Sequence, residues 1–390
     1  MPADRTLFTL VAALIGISIV LSYTLTQYTV LLFGVDQFHF VERQAGFGFV
    51  GLSIMYGLSL LDPDRWLNRV GFTLFIGSLL LMIAMPFLPE SIVSAVGGAK
   101  RWIKVFGFSL APVEFFKVGF IYFLAWSFSR KLGHHDGMGL KREFQRFAPY
   151  ALIFIGSMFI IAFLQKDLGQ VVVLGLTLLF MLIFAGSSFK FFFSILGGIT
   201  GAVVIFIMTA EHRILRIKSW WALAQNSVLG LLPDSIADKL RVPVEVEPYQ
   251  IGHSLNAIHN GGFFGVGLGN GTFKLGFLSE VHTDFVLAGL AEEFGFVGVV
   301  VVVGLFMWMI QRIFKIANRA DDTKIYLFSL GIGLILSFSF MVNAYGISGI
   351  TPIKGLSVPF LSYGGSAMLG ASFGIGMILM ASKKAKMDER

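Results

Sequence analysis

Residues 168–186 read LGQVVVLGLTLLFMLIFAG and contain no charged side chain. A helix needs about 20 mostly apolar residues to cross the hydrocarbon core of a bilayer. Uncharged runs of similar length recur along the 390-residue chain, in which 56% of the residues are hydrophobic and 15% are aromatic. This composition excludes a soluble globular domain. The sequence therefore predicts an all-α polytopic membrane protein that forms one integral domain over residues 1–390.

The apolar runs predict about ten transmembrane helices. We place them at 7–30, 45–61, 69–88, 112–130, 147–164, 168–188, 190–210, 294–312, 325–346 and 362–382. Short loops rich in Lys and Arg mark the cytoplasmic side of a membrane protein. The basic clusters at residues 65–69, 130–146, 312–324 and 383–386 lie on one side if both termini are cytoplasmic. This topology leaves a large extracytoplasmic segment, about 211–293, between the seventh and eighth predicted helices.

Three further features narrow the class of function. The first uncharged run, residues 6–35, is long enough to span the bilayer, so we expect it to be retained rather than cleaved. The chain has no cysteine, which excludes disulfides, thiolate nucleophiles and Cys-ligated metals. The net charge of +7 is explained by the cytoplasmic loops, so we expect no nucleic-acid partner.

A polar stretch interrupts these apolar runs at residues 249–293, YQIGHSLNAIHNGGFFGVGLGNGTFKLGFLSEVHTDFVLAGLAEE. Within it, Asp284 ends a long loop and precedes Glu292 and Glu293 by eight and nine residues, just over two helical turns. This spacing predicts an acidic cluster at the membrane surface in which Asp284 acts as a base on a lipid-borne substrate. The alternative role for Asp284 is to cap the helix that follows it.

The same stretch contains the glycine run 261–271. No strand precedes this run and the pattern GxxxxGK[ST] is absent, which argues against a nucleotide-binding loop. The glycines instead favour close backbone packing or a re-entrant turn.

Other charged residues gather at the outer ends of the predicted helices. Glu114 and Lys117 are three residues apart on one helix face, so either they pair with each other or Lys117 meets an anionic substrate. Asp167 precedes an apolar run, and we expect it to cap that helix. A charge at the bilayer centre costs at least about 2.5–3.5 kcal/mol, so we expect several of these groups to line a shared polar cavity.

The last outer segment carries the octapeptide PFLSYGGS at residues 359–366, which resembles the PFxSYGGS hallmark of the SEDS family of cell-wall and division proteins. Further matches follow in the family's order over essentially the whole chain: Gly98–Ile103, Pro112 with Glu114 and Lys117, Asp167–Gly169, His282–Phe285 and Glu292–Gly295. The stretch from Gly267 to Leu275 resembles the division branch of the family more than its elongation branch. The chain departs from the family's pattern at Ala111, Val113, Lys166, Ser279 and Lys354.

The resemblance implies a peptidoglycan glycosyltransferase that polymerises Lipid II at the outer face of the bacterial cytoplasmic (inner) membrane and releases undecaprenyl diphosphate. It implies septal cell-wall synthesis, with a class B penicillin-binding protein transpeptidase and other division proteins as partners. Asp284 would be the catalytic base. The residues expected to bind substrate are Arg101, Lys117, Glu114, Lys274, Glu292, Glu293, Ser362 and Tyr363, with Lys104 as a further cation. A Mg²⁺ or Mn²⁺ ion could share the charge of the diphosphate, although no metal motif is visible.

Three other functions stay open, the first from the resemblance and the other two from the residues. The first is the same polymerase chemistry in cell elongation. The second is a flippase for a lipid-linked precursor, which a charged intramembrane cavity permits but which usually comes with an inverted repeat that we do not see. The third is a non-catalytic scaffold of the division machinery, which leaves the outer charged residues without a role.

Overall fold

The apolar runs of the sequence fold as the long helices of a membrane bundle. The structure, a computed structural model, describes residues 3–96, 99–105, 107–131, 139–209, 211–230, 233–242, 249–353 and 355–385. Its helices are α1 (Arg5–Leu25), α2 (Gln27–Phe33), α3 (His39–Leu60), α4 (Pro63–Ala84), α5 (Pro112–Lys131), α6 (Leu140–Phe159), α7 (Leu168–Phe184), α8 (Phe189–Met208), α9 (Glu211–Leu229), α10 (Asp234–Leu240), α11 (Tyr249–Gly261), α12 (Val286–Asn318), α13 (Thr323–Ile347) and α14 (Gly365–Ser382). In the part of the chain described, 7 helical spans are long and apolar enough to cross a membrane. The chain is therefore a polytopic helical membrane protein, as the sequence predicts.

Every predicted span overlaps one of these helices, but the count of about ten spans stays a prediction. The helices α3, α5 and α7 do not meet the length and hydropathy expected of a span; α7, for example, covers only Leu168–Phe184. The first predicted span is interrupted at Thr26, where α1 ends and α2 begins. The eighth is longer than predicted, because α12 begins at Val286 and ends at Asn318.

The prediction of an all-α fold is wrong in one place. Residues 93–110 form a three-stranded antiparallel sheet of β1 (Val93–Val96), β2 (Ala99–Val105) and β3 (Phe108–Leu110), paired in the order β1-β2-β3. Its buried face places Val93 and Ile103 against Met85 and Leu88 beyond the C-terminal end of α4. Strands of 7 residues or fewer, one of them rich in Lys and Arg, are too short to show a clear alternation of polar and apolar residues.

The helices α13 and α14 lie at the centre of the bundle. In each, 72% of an 18-residue apolar window is buried, compared with 6% in α8. Glycines allow neighbouring helices to approach α14 closely. A Cβ atom on Gly376 would lie 2.7 Å from the Leu58 side chain of α3, and one on Gly370 would lie 2.8 Å from the Glu114 carbonyl oxygen of α5. Small residues of this kind are typical of helix contacts in membranes.

A bend in α12 receives the glycine-rich loop that precedes it. Gly295 has φ 64° and ψ −166° inside the helix, a backbone conformation that glycine adopts without strain. The N–H groups of Val266 and Gly267 donate to the carbonyl oxygens of Glu292 and Glu293, each at 3.0 Å. The loop therefore satisfies carbonyl groups that the bend leaves free. The structure confirms close backbone packing as the role of this glycine run.

Candidate active site

Asp284 lies in the loop that leads into α12. Within the described residues, neither of its carboxylate oxygens has a hydrogen-bond or ion-pair partner. The N-cap of α12 is Phe285, with no side-chain capping bond, so capping does not explain Asp284. Burial raises the pKa of Asp284 to about 6, and the negative charges of Glu280 and Asp167 act in the same direction. A carboxylate with this pKa is ionised at neutral pH and is a stronger base than an ordinary aspartate.

Ser362 and Tyr363 hold the backbone just before Asp284. The Ser362 hydroxyl donates to the carbonyl oxygen of Thr283 at 2.6 Å and accepts from the N–H of Val358 at 2.8 Å. The N–H of Tyr363 donates to the carbonyl oxygen of His282 at 2.8 Å. Ser362 is 4% exposed, and its hydroxyl is engaged in these bonds. The geometry favours a positioning role for Ser362, while substrate contact stays a prediction.

The octapeptide 359–366 is itself fixed by two other parts of the fold. Gln44 of α3 is fully buried, and its Nε2 donates to the carbonyl oxygen of Ser362 at 3.2 Å. The Ser366 hydroxyl accepts from the N–H of Ala111 at 2.8 Å and donates to the carbonyl oxygen of Ser109 at 3.1 Å. The motif therefore connects α3, the end of β3 and the loop that carries Asp284.

An aromatic group borders the same loop. The rings of Phe40, His282 and Tyr363 contact one another, with centroids 5.3–5.7 Å apart. His282 is buried, its Nδ1 has no partner among the described residues, and burial lowers the pKa of its imidazole. His282 is therefore neutral at neutral pH. Arg43 lies beside the Tyr363 hydroxyl, which is only partly buried. Of the two motif residues, Tyr363 is the one with side-chain surface left for a substrate.

A second group of predicted site residues surrounds Asp167. Arg101 of β2 donates from Nε to the carbonyl oxygen of Gln165 at 2.5 Å and from Nη2 to that of Lys166 at 2.8 Å. Asp167 accepts from the N–H of Gln170 at 3.2 Å, which confirms the predicted cap of α7. Burial raises the pKa of Asp167, and the charge of Arg101 opposes this effect. Arg101 thus holds the turn that brings the Asp167 charge toward Asp284.

Glu114 and Lys117 form the ion pair that their spacing permits. Lys117 Nζ lies 2.7 Å from Glu114 Oε2, and the side chains are 13% and 11% exposed. Gln170 Nε2 donates to Glu114 Oε1 at 2.9 Å, which joins the pair to the first turn of α7. The pair lines a cavity of about 30 Å³ between α5, α13, α14 and the segment 357–359, large enough for about two water molecules.

Glu292 and Glu293 of α12 bond to the glycine-rich loop rather than to Asp284, and Lys274 of that loop pairs with Glu293. Lys274 Nζ is 2.7 Å from Glu293 Oε1, with the side chains 1% and 0% exposed. Glu292 accepts from the N–H groups of Thr272 at 2.7 Å and Phe273 at 3.2 Å. The prediction that Glu292 and Glu293 form a surface cluster with Asp284 is wrong, because both residues are 1% exposed and their carboxylates bond to the glycine-rich loop and to Lys274. The geometry favours a structural role for all three residues, and substrate contact stays a prediction.

Comparison with known proteins identifies the family. The model of the FtsW/RodA/SpoVE family, described as a cell cycle protein, matches residues 5–387. The chain belongs to this family. The resemblance of the motifs to the SEDS family is thereby confirmed.

Relatives within the family share most of their length with this chain. A probable peptidoglycan glycosyltransferase FtsW of Helicobacter pylori (strain ATCC 700392 / 26695) is 49% identical over 387 residues, which cover 99% of this chain and 100% of that protein. The protein of the same name from Trichlorobacter lovleyi is 34% identical, and the matched region covers 98% of this chain and 94% of that protein. The SEDS chain is thus FtsW-like.

Two solved structures show the same fold. The rod shape determining protein RodA of Thermus thermophilus is 22% identical, with a TM-score of 0.64 and 98% of each chain covered. A chain from a peptidoglycan synthase complex, described as coordinating polymerization and crosslinking, is 23% identical, with a TM-score of 0.71 and the same coverage. At these identities the likeness concerns the fold.

Two positions of the SEDS pattern, Gly98 and Lys354, lie outside the described residues. Lys166, where the family usually has proline, has φ 53°, a value that the proline ring excludes. The turn before α7 therefore differs in backbone conformation from a proline turn.

Lys104 is exposed, and its Nζ donates to the carbonyl oxygen of Glu90 at 3.2 Å.

Sequence reasoning missed two residues that border Asp284 in this SEDS chain. Asn343 of α13 donates from Nδ2 to the carbonyl oxygen of Asp284 at 2.7 Å. Gly355 lies so close to the carboxylate that a Cβ atom there would be 2.6 Å from Asp284 Oδ2. A lone Asn in an apolar helix was a usable signal, because a buried amide needs partners. Gly355 gave no comparable signal.

Proposed function

We propose that this protein is a peptidoglycan glycosyltransferase that polymerises Lipid II into glycan strands at the outer face of the bacterial cytoplasmic membrane, for septal cell-wall synthesis. The name of the 49% identical relative supports the activity and the FtsW-like role. The observation that carries the proposal is Asp284, a carboxylate with no partner among the described residues and with a pKa raised to about 6. A polyprenyl-linked sugar keeps its tail in the bilayer, so its headgroup reacts at the membrane surface.

In this mechanism Asp284 is the general base. It takes the proton from the 4-hydroxyl of the N-acetylglucosamine at the end of the acceptor. The acceptor oxygen forms a bond to the anomeric carbon of the donor's N-acetylmuramic acid while the bond from that carbon to the diphosphate oxygen breaks, which inverts the anomeric configuration. The electron pair of the broken bond leaves with undecaprenyl diphosphate. No protonating acid is needed, because a diphosphate is a stable anion.

The departing diphosphate requires nearby positive charge, and Arg101 and Lys117 are the candidates. Both charges act on Asp167, and the charge of Asp167 in turn acts on Asp284, so the cations and the base belong to one electrostatic group. Lys117 is paired with Glu114, which keeps the ammonium in place at the edge of the cavity. Loss of one such preorganised contact typically costs about 10²- to 10³-fold in turnover.

A Mg²⁺ or Mn²⁺ ion bound through the diphosphate would share its negative charge. Among the described residues, no group of three or more His, Asp or Glu side chains could hold a metal ion. Asp284, Asp167 and Glu280 interact electrostatically but do not form a ligand set. Among the chain's own residues, we assign stabilisation of the charge on the departing diphosphate to Arg101 and Lys117.

We infer that the chain crosses the membrane about ten times, with both termini cytoplasmic and residues 211–293 largely extracytoplasmic. The overlap of each predicted span with a helix supports this topology. A class B penicillin-binding protein is the inferred partner, with other division proteins at the septum. The likeness to a chain of a peptidoglycan synthase complex supports a shared assembly of polymerase and transpeptidase.

The test is polymerisation of Lipid II by the purified protein, with and without its cognate transpeptidase, in the parent and in Asp284→Asn. Asparagine keeps the size of the side chain but removes the base, so we expect glycan strands from the parent and a loss of about 10²-fold or more in the variant. Asp238→Asn, at an exposed position of α10, is the matched control and should keep the parent rate.

Two results would contradict the proposal. Polymer formation at the parent rate by correctly inserted Asp284→Asn would exclude Asp284 as the base. Transport of Lipid II across proteoliposomes by a partner-bound parent that makes no polymer would favour the flippase.

A further inference from the structure

A buried amide of α13 connects two backbone segments that both border Asp284. Asn343 is 2% exposed and belongs to a helix with a mean hydropathy of 2.1. Its Nδ2 donates to the carbonyl oxygen of Asp284 and to that of Leu356, each at 2.7 Å. Burial of an amide is unfavourable unless its polar atoms find hydrogen-bond partners. The two short bonds satisfy Nδ2 and tie the loop of Asp284 to the segment 355–359, while Oδ1 is buried with no partner among the described residues.

The segment 355–359 forms a wall beside the carboxylate. A Cβ atom on Gly355 would lie 2.6 Å from Asp284 Oδ2 but 3.8 Å from Oδ1. The wall is supported on its other side by α7, because a Cβ atom on Gly169 would lie 3.0 Å from Leu356 Cγ. The carboxylate therefore rests with Oδ2 against the glycine backbone, and Oδ1 is the oxygen farther from the wall.

We propose that Asn343 and Gly355 are positioning residues for the base: Asn343 fixes the main chain of Asp284 and the wall together, and the bare backbone of Gly355 sets the orientation of the carboxylate. This inference rests on the proposed function, since it assigns a role relative to the base. Correct placement matters for catalysis, because a displacement of about 1 Å can cost about 10²-fold in rate.

The same wall contributes to the burial of Asp284. The charged groups that act on this carboxylate are Glu280, in its own loop, and Asp167, from the turn before α7. Both raise its pKa, and burial is the largest cause of the shift to about 6. Neither Asn343 nor Gly355 carries a charge. Loss of the Asn343 bonds should therefore change the pKa of Asp284 by admitting water, which lowers it.

The first test compares Asn343→Ala with the parent in Lipid II polymerisation between about pH 5 and pH 8, a range that brackets an acid group with a pKa near 6. We expect kcat at pH 7 to fall about 10²-fold with KM nearly unchanged. We also expect the pH below which the rate declines to move downward. Ser337→Ala is the matched control on α13, because its hydroxyl bonds only the Gly333 carbonyl oxygen of the same helix, at 2.7 Å. It should keep the parent kcat and pH profile.

The second test changes Gly355 instead of Asn343, in case Asn343→Ala does not accumulate as folded protein. Gly355→Ala places a methyl group 2.6 Å from Asp284 Oδ2, too close for the carboxylate to stay in place, so we expect a loss in kcat of similar size. Gly331→Ala is the steric control, because its Cβ would also lie 2.6 Å from a neighbour, the Ile121 Cγ2 atom. It should lower thermal stability in detergent without the loss in kcat.

Asp284→Asn, measured alongside, separates the two proposals. If the parent polymerises and Asp284→Asn does not, the proposed function stands. If Asn343→Ala or Gly355→Ala then inserts normally and keeps the parent kcat and pH profile, the positioning role is excluded on its own. If the parent makes no polymer with its partner present, both proposals fail together.

Discussion

At the scale of single residues, the proposed chemistry depends on the carboxyl group of Asp284 and its surroundings. Burial and two negative neighbours all raise the pKa of Asp284, which reaches about 6. With this pKa the group is about 90% ionised at pH 7 and about 10% ionised at pH 5, since each pH unit changes the ratio tenfold. The base form is needed for proton abstraction, so activity should decline as the pH falls through about 6.

The Glu280→Gln variant tests this electrostatic account. The Glu280 charge raises the pKa of Asp284, so its removal should lower that pKa and move the acidic decline of the polymerisation rate to lower pH. Glutamine keeps an oxygen that can accept the hydrogen bond from the Thr283 hydroxyl, which now goes to Glu280 Oε2 at 2.7 Å. The measurement is the rate as a function of pH.

Glu90→Gln is the control for this variant, because Glu90 is also exposed in an outer segment and is not among the charges that act on Asp284. Its pH profile should match the parent. A decline that stays in place, or moves to higher pH, in Glu280→Gln would show that Glu280 does not tune the base.

Local spacing made part of this site predictable. The Glu114–Lys117 pair, the Asp167 cap and the candidacy of Asp284 as a base can each be inferred from a few neighbouring residues. The bond from Asn343 to Asp284 joins positions 59 residues apart, and the contact of Gly355 with the carboxylate also depends on the packing of separate helices. No short stretch of sequence encodes such contacts.

At the scale of elements, hydropathy predicted the helices well because each apolar run is long. The same signal missed the β1-β2-β3 sheet, whose strands are short and partly charged, and the bend at Gly295, which the apolar pattern on both sides conceals. It also placed Glu292 and Glu293 beside Asp284, because sequence distance does not show which helix face points inward. Their actual position stabilises the bend in α12.

The buried ion pair of Lys274 and Glu293 should be essential to this loop. Lys274→Met leaves the Glu293 carboxylate buried and uncompensated, and its Oε2 already lacks a partner among the described residues. Removal of one member of a buried pair typically destabilises a protein by about 3–5 kcal/mol. We expect a marked fall in the thermal unfolding temperature in detergent.

The double variant Lys274→Met/Glu293→Met is the matched comparison, because it removes both charges and should recover much of the lost stability. Lys384→Met is the surface control; Lys384 pairs with Asp64 at exposed positions, where an ion pair contributes little. Equal stability of Lys274→Met and the parent would mean that the pair does not hold the loop.

At the scale of the whole molecule, the octapeptide 359–366 connects parts of the chain that are far apart in sequence. Through backbone and hydroxyl bonds it links α3, the end of β3 and the loop of Asp284. A movement of these elements relative to one another would therefore displace the loop that carries Asp284, the proposed base. This arrangement gives a contact with a partner, at any of these elements, a physical route to the active site.

The topology can be tested without altering any native thiol, because the chain contains no cysteine. Single cysteines at Asp238 and Lys104, both exposed in segments inferred to be extracytoplasmic, should react with a membrane-impermeant maleimide in intact spheroplasts. A single cysteine at the exposed Arg142, in a basic loop, should react only after the membrane is permeabilised. Labelling of Arg142→Cys in intact spheroplasts, with Asp238→Cys unlabelled, would show that the topology is the reverse of the one inferred. Asp284 would then lie on the cytoplasmic side, where it could not polymerise Lipid II at the outer face.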